Sequence, residues 1–111
     1  MSQWVQVAGY AGDLQAAYDY YKARGGERAA EQFLARYLLC VGATTEYPES
    51  CAIRGHGWRQ KPIPHSNFSI FYGQRESFWM LVGVQSTVQD PDRIQAMLLI
   101  REVGESSNPG N

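Results

Sequence analysis

Five side chains in the middle of the sequence are of the types needed to cut RNA without a metal: Arg59, Lys61, His65, Tyr72 and Arg75. Arginine stabilises the extra negative charge that builds on a phosphate in the transition state, while histidine or tyrosine can move the proton of a 2′-hydroxyl. That chemistry requires the five to converge, and three adjoining strands could bring them to one side of a sheet. The pattern favours a plainer reading, with Arg59 and Lys61 solvated on a strand, Tyr72 in the core and Arg75 in a turn.

Other chemistries find less support. His56, His65, Cys40 and Cys51 lack the paired spacing of a zinc site. Gly25-Gly26 has no preceding strand, which a phosphate-cradling loop would need. Ser66, Ser69 and Ser77 have no evident base and orienting acid, and the carboxylates are dispersed. No cofactor is therefore expected. Two cysteines without pattern are expected to be packing thiols.

The net charge of -1 argues against a general attraction to nucleic acid. Its distribution is uneven, because residues 51 to 80 hold Arg54, Arg59, Lys61 and Arg75 against Glu76 alone. A length of 111 residues allows one domain and one core, with 44% apolar and 19% charged residues marking a folded chain. No run approaches a membrane span and the amino terminus, MSQWVQV, has no secretory pattern, so the expected location is cytoplasmic.

These residues must be positioned by the elements around them. WVQV at 4–7 predicts a short strand. Leu14, Ala17, Tyr18 and Tyr21 form one helical stripe, and Ala30, Phe33, Leu34, Tyr37, Leu38 and Val41 form another. Gly25-Gly26 between them predicts a helical hairpin, and Tyr47-Pro48 its end. ESCAIRGHG then reads as an exposed loop.

Residues 58–63 predict a strand with Arg59 and Lys61 on one face. Phe68, Ile70 and Tyr72 share a face of the next, and Ser77 to Val84 is apolar on both faces, as in an interior strand. Gly73-Gln74-Arg75-Glu76 would join these two as a β-hairpin. Asp90-Pro91 starts a short last helix through Ile94, Met97, Leu98 and Arg101. The expected class is α+β, with residues 1–104 as a single domain and 105–111 as a disordered tail. The helical hairpin should cover one face of an antiparallel sheet, leaving the other face for a partner. Trp4, Trp58 and Trp79 all fall in expected strands, where they pack or anchor that partner.

In order and spacing, DLQAAYDYYKARGGERAAEQFLARY, YPES, WRQKPI, FSIFY and QDPDRI resemble the ParE/RelE superfamily of toxins from bacterial toxin–antitoxin modules, over roughly residues 4 to 98. The resemblance implies a compact toxin restrained by a cognate antitoxin that wraps it. ParE-like members poison DNA gyrase and are not enzymes, whereas RelE-like members cleave messenger RNA on the ribosome. The long helical hairpin and near-neutral charge resemble the ParE-like branch. In that branch Arg59, Lys61, Arg75 and Trp79 would face partners, and in the RelE-like branch Arg59, His65, Tyr72 and Arg75 would be catalytic. Arg59 matches the arginine common on the strand after the helices. Gln89 departs from the arginine frequent before the Asp-Pro pair.

Overall fold

A computed structural model describes residues 3–55 and 57–106, with side chains as far as residue 102. Strand β1 (Gln3–Gln6) leads into helix α1 (Tyr10–Glu46), a single 3-10 turn (Pro48–Ser50), strands β2 (Arg59–Pro62), β3 (Phe68–Arg75) and β4 (Phe78–Ser86), and helix α2 (Pro91–Ser106). His56 and residues 107–111 of the expected tail lie outside the described residues, while Glu105 and Ser106 are helical. Among the described residues no helix is long and apolar enough to cross a membrane.

The expected helical hairpin is present. α1 breaks at Gly26, whose φ of 82° and ψ of -178° suit glycine alone, and its second arm folds back along the first. Tyr10 and Tyr37, one on each arm, share a buried hydrogen bond of 2.6 Å. Tyr21 and Phe33 stack closer to the break, with ring centroids 4.9 Å apart.

The strands lie in the order β1-β4-β3-β2. β2, β3 and β4 form the expected antiparallel meander, but β1 joins parallel to β4, so the sheet is mixed rather than wholly antiparallel. The helical crossover after β1 allows this, because only a long connection lets strands run parallel. Tyr72 pairs with Leu81 and Phe71 with Gly83, so Val82 is the extra residue of a β-bulge.

Each face of the sheet has its own core. On one, Ile70, Tyr72, Trp79, Leu81 and Val84 pack with Tyr10, Ala17, Phe33, Tyr37 and Cys40 of α1. On the other, Trp58, Phe71, Met80 and Val82 pack with Ile94 and Leu98 of α2. The expectation of an open face is thus corrected: α2 covers it. Asp90 caps α2 as expected, its Oδ1 accepting the Asp92 N–H at 2.9 Å.

The β3–β4 connection is also tighter than expected. Gly73, Gln74 and Arg75 continue to pair with Met80, Trp79 and Phe78, so only Glu76 and Ser77 turn, with Glu76 at φ 54°. Gly73 serves packing instead, since a Cβ there would lie 2.5 Å from Cε3 of the buried Trp58 indole. Gly73→Ala is expected to destabilise by about 1–3 kcal/mol, the range for overpacking a core. A urea midpoint that does not move would refute this use of the glycine.

Candidate functional site

The sheet brings some of the predicted site residues together and separates others. Arg59 and Tyr72 face each other across β2 and β3. The Arg59 guanidinium donates to the Cys51 carbonyl and lies 5.7 Å from the centroid of the Trp79 ring. Trp79 in turn stacks on Trp4, with centroids 5.5 Å apart and planes 22° from parallel. Alternation along β2 sets Lys61 on the same side as Arg59.

Tyr72 has no exposed surface, and its hydroxyl donates to the Pro48 carbonyl at 2.7 Å. Burial pushes its pKa well up, reinforced by a hydrogen bond to Cys51. Its phenol therefore holds its proton at neutral pH and ties the loop after α1 to β3. His65 occupies the turn between β2 and β3, at the opposite end of that hairpin, with φ 59° and an exposed side chain.

Arg75 points to the opposite face of the sheet. Its guanidinium carbon is 3.9 Å from the centroid of the Trp58 ring, and it pairs with Glu102 of α2 at 2.8 Å. Arg59, Tyr72, His65 and Arg75 thus occupy three separate places, because alternation along β3 divides Tyr72 from Arg75 and the hairpin length removes His65. This arrangement contains no convergent proton donor and acceptor flanked by arginines.

Two surface hollows lie beside these residues. The first is a groove of about 360 Å³ between the second arm of α1 and the edge strand β2, lined by Arg36, Leu39, Cys40, Ala43, Lys61 and two prolines. Leu39 is 79% exposed and Leu38 58% exposed, an unusual display for adjacent leucines. β2 is the edge strand of the sheet, and its outer side is partly engaged already: Ile53 bridges Arg59, the Arg54 N–H donates to the Trp58 carbonyl at 2.8 Å, and Pro62 has no N–H to offer. The Cys40 thiol bonds to the Pro62 carbonyl, and burial raises its pKa, which keeps it a thiol rather than a nucleophile. Both cysteines are free, in keeping with their reading as packing thiols.

The expected core stripe of the second arm included Leu38 and passed over Leu39. Ala30, Phe33 and Tyr37 are buried as expected and Leu34 and Val41 pack half-buried against them, whereas Leu38 is exposed and Cys40 and Thr44 are buried in addition. The Thr44 hydroxyl donates to the Cys40 carbonyl at 2.8 Å, which satisfies it in the core, so a polar residue carries the stripe one turn beyond Cys40. Arg36 and Leu39, missed by sequence reasoning, share the remaining face of that arm. The one signal for them is the surplus of leucine, more than a single stripe can bury.

The second hollow is a cleft of about 560 Å³ at the end of α1, lined by Glu46, Tyr47, Pro48, Glu49, Ser50, Gln74 and Trp79. The Tyr72 hydrogen bond to Pro48 fixes its wall, and the stacked pair Trp4 and Trp79 its floor.

No protein-family model matches the sequence, and no curated protein matches it. Among solved structures the chain is similar to one from the chromosomal ParDE toxin–antitoxin system of P. aeruginosa, with a TM-score of 0.67 and 19% identity, over 78% of this chain and 96% of that one. At that identity the likeness is one of fold, and it extends over nearly the whole of the compared chain.

Proposed function

We propose that this chain is the ParE-like toxin of a bacterial toxin–antitoxin pair, a non-enzymatic cytoplasmic inhibitor of DNA gyrase neutralised by a cognate antitoxin. The observation that carries the reading is the likeness of fold to a chain of a ParDE toxin–antitoxin system, at a TM-score of 0.67 over 96% of that chain. The separation of Arg59, Tyr72, His65 and Arg75 favours this over messenger RNA cleavage, since general acid–base work needs the groups within hydrogen-bond reach of one substrate.

The groove beside β2 suits the antitoxin. It offers exposed Leu39 and the cations Arg36 and Lys61, which together fit a segment carrying apolar and acidic side chains. Lys61 is the member of the sequence-derived partner set that lies in this groove.

The test is induction in bacteria, alone and with the short neighbouring gene that would encode the antitoxin, together with a supercoiling assay on purified gyrase. Growth arrest, loss of supercoiling and rescue by the neighbour are expected. Intact supercoiling with normal growth would sink the proposal, and messenger RNA cleavage on ribosomes would replace it. Within it, Leu39→Asp combined with Lys61→Glu is expected to weaken antitoxin binding by about tenfold to a hundredfold while leaving arrest intact. Neutralisation at unchanged dose would move the antitoxin elsewhere.

A further inference from the structure

The two edges of the sheet are unlike. β2 is guarded by the means natural sheets use against unwanted pairing: Arg59 and Lys61 set charge along it, Pro62 has no N–H, and Ile53 already bridges Arg59 on its outer side. β1, the other edge, has no such guard. It reads Gln-Trp-Val-Gln, and no side chain from Gln3 to Gly12 is charged. Backbone groups of alternate residues point to opposite sides of a strand. The Val7 N–H donates inward to the Leu81 carbonyl of β4 at 3.1 Å, so Val5 and Val7 serve the ladder with β4, while the N–H and C=O groups of Trp4 and Gln6 point outward. Among the described residues no backbone partner meets them.

The occupant these features fit is the same strand of a second copy. Two strands that meet across a twofold axis run antiparallel, and the outward groups of one must meet the outward groups of the other. With Val5 on the axis, Trp4 of each strand exchanges both backbone hydrogen bonds with Gln6 of the other copy, and every outward group of Trp4 and Gln6 is satisfied. Val5 then faces its own counterpart as a non-hydrogen-bonded pair, the arrangement in which opposed side chains come closest. Val5 is half-buried and neither core of described residues includes it, so its free surface is what the second valine covers. A twofold axis sets each side chain near its own kind, which a charged strand resists by repulsion and this neutral one does not.

We propose that β1 is a self-pairing edge, through which two copies of the chain join their four-stranded sheets into one continuous sheet about a twofold axis at Val5. The groove assigned to the antitoxin lies beside β2, at the opposite edge, so self-pairing leaves it open in both copies. The inference therefore stands or falls independently of the toxin reading. One short strand on each side makes a small interface, and the association is correspondingly weak.

Sedimentation of the full chain alone is expected to give one chain of 12.5 kDa at about 1 μM and twice that mass at about 100 μM. Val5→Lys sets two ammonium groups across the axis and is expected to weaken the association at least about tenfold. Because Val5 is only half-buried, the variant is expected to keep its melting temperature. Val5→Cys reads the register. Across a non-hydrogen-bonded antiparallel pair the Cα atoms lie about 4.5 Å apart, within disulfide range. Oxidised glutathione is therefore expected to cross-link Val5→Cys into a covalent dimer by thiol–disulfide exchange, with release of reduced glutathione, and to leave Gln3→Cys and the unsubstituted chain uncross-linked. This second variant decides the matter if Val5→Lys lowers the melting temperature. A monomer at 100 μM would mean that the edge is closed within the chain, and a dimer indifferent to Val5→Lys or not cross-linked through Val5→Cys would place the contact elsewhere; each result overturns the proposal.

Discussion

Replacing Asp13 with alanine is expected to destabilise the protein by about 3–5 kcal/mol, the range for leaving one member of a buried ion pair alone. Asp13 begins the first turns of α1, and its carboxylate is only 10% exposed. Four donors converge on it. Oδ2 accepts from the Val84 N–H at 3.0 Å, from Gln85 at 2.8 Å and from Arg101 Nη1 at 2.6 Å, while Oδ1 accepts from Arg101 Nη2 at 2.8 Å. Arg101 Nη1 also donates to the Val82 carbonyl at 2.8 Å. One carboxylate thereby joins α1, the bulge of β4 and α2, the helix that closes the second face.

The two partners should not contribute alike. Without Asp13, a guanidinium that is 18% exposed keeps only the neutral Val82 carbonyl and a buried backbone N–H loses its acceptor. Without Arg101, Asp13 keeps Val84 and Gln85. Arg101→Met is therefore expected to cost less than Asp13→Ala, and the double variant less than the sum of the two. The measurement is the shift of the urea midpoint at unchanged slope. Single substitutions that each cost under about 1 kcal/mol would reduce the cluster to an ordinary surface pair.

Much of this architecture is legible in the sequence because its signals are local. The two helical stripes, the Gly25-Gly26 break, the Tyr47-Pro48 stop and the Asp90-Pro91 start each concern a few neighbouring residues, and each has its expected counterpart in the structure apart from Leu38, which faces out of the second stripe. The closure of the second face by α2 is not local, though a trace of it was present: a strand that is apolar on both faces from Ser77 to Val84 requires a cover on both. Arg75 illustrates the same limit. Placing it in a turn hid the strand alternation that turns it away from Tyr72, and the reason Gly73 lies in that strand is a contact with Trp58, fifteen residues earlier. Asp13 and Arg101 are separated by 88 residues, and no pattern in either segment announces their pairing. At the candidate sites, Lys61 and Trp79 were legible as residue types in strands, whereas Leu39 was hidden by its likeness to core.

Above pH 10 the stability of the protein is expected to fall steeply, by up to about 4 kcal/mol per pH unit if three phenols hold their protons, at 1.4 kcal/mol per proton per unit. The phenols are Tyr10, Tyr37 and Tyr72, exposed by 0%, 5% and 0%. Burial raises the pKa of each, and Tyr10 is raised further by its hydrogen bond to Tyr37. The sign follows from the direction of these shifts. Below the ordinary tyrosine value of about 10, folded and unfolded chains both keep these protons and the contribution is whole. Above it the unfolded chain releases protons that the folded chain retains, so unfolding becomes easier with each pH unit until the folded phenols ionise too. The buried Cys40 thiol, raised in the same sense, starts the decline somewhat earlier, because an unfolded thiol ionises near pH 8.5. Set against a total stability of about 5–15 kcal/mol, the loss is large enough to unfold the protein within a few pH units. Urea midpoints between pH 8 and 11 measure it, and the ultraviolet absorbance of ionised tyrosine should show three phenols ionising together with unfolding. Tyr72→Phe removes one of the three, so its slope above pH 10 is expected to be shallower by about a third, at the cost of the bond that holds the Pro48 carbonyl. A midpoint that stays level from pH 9 to 11 would mean that these hydroxyls reach water in the folded chain, and the packing of α1 against the sheet would then be looser than its contacts require.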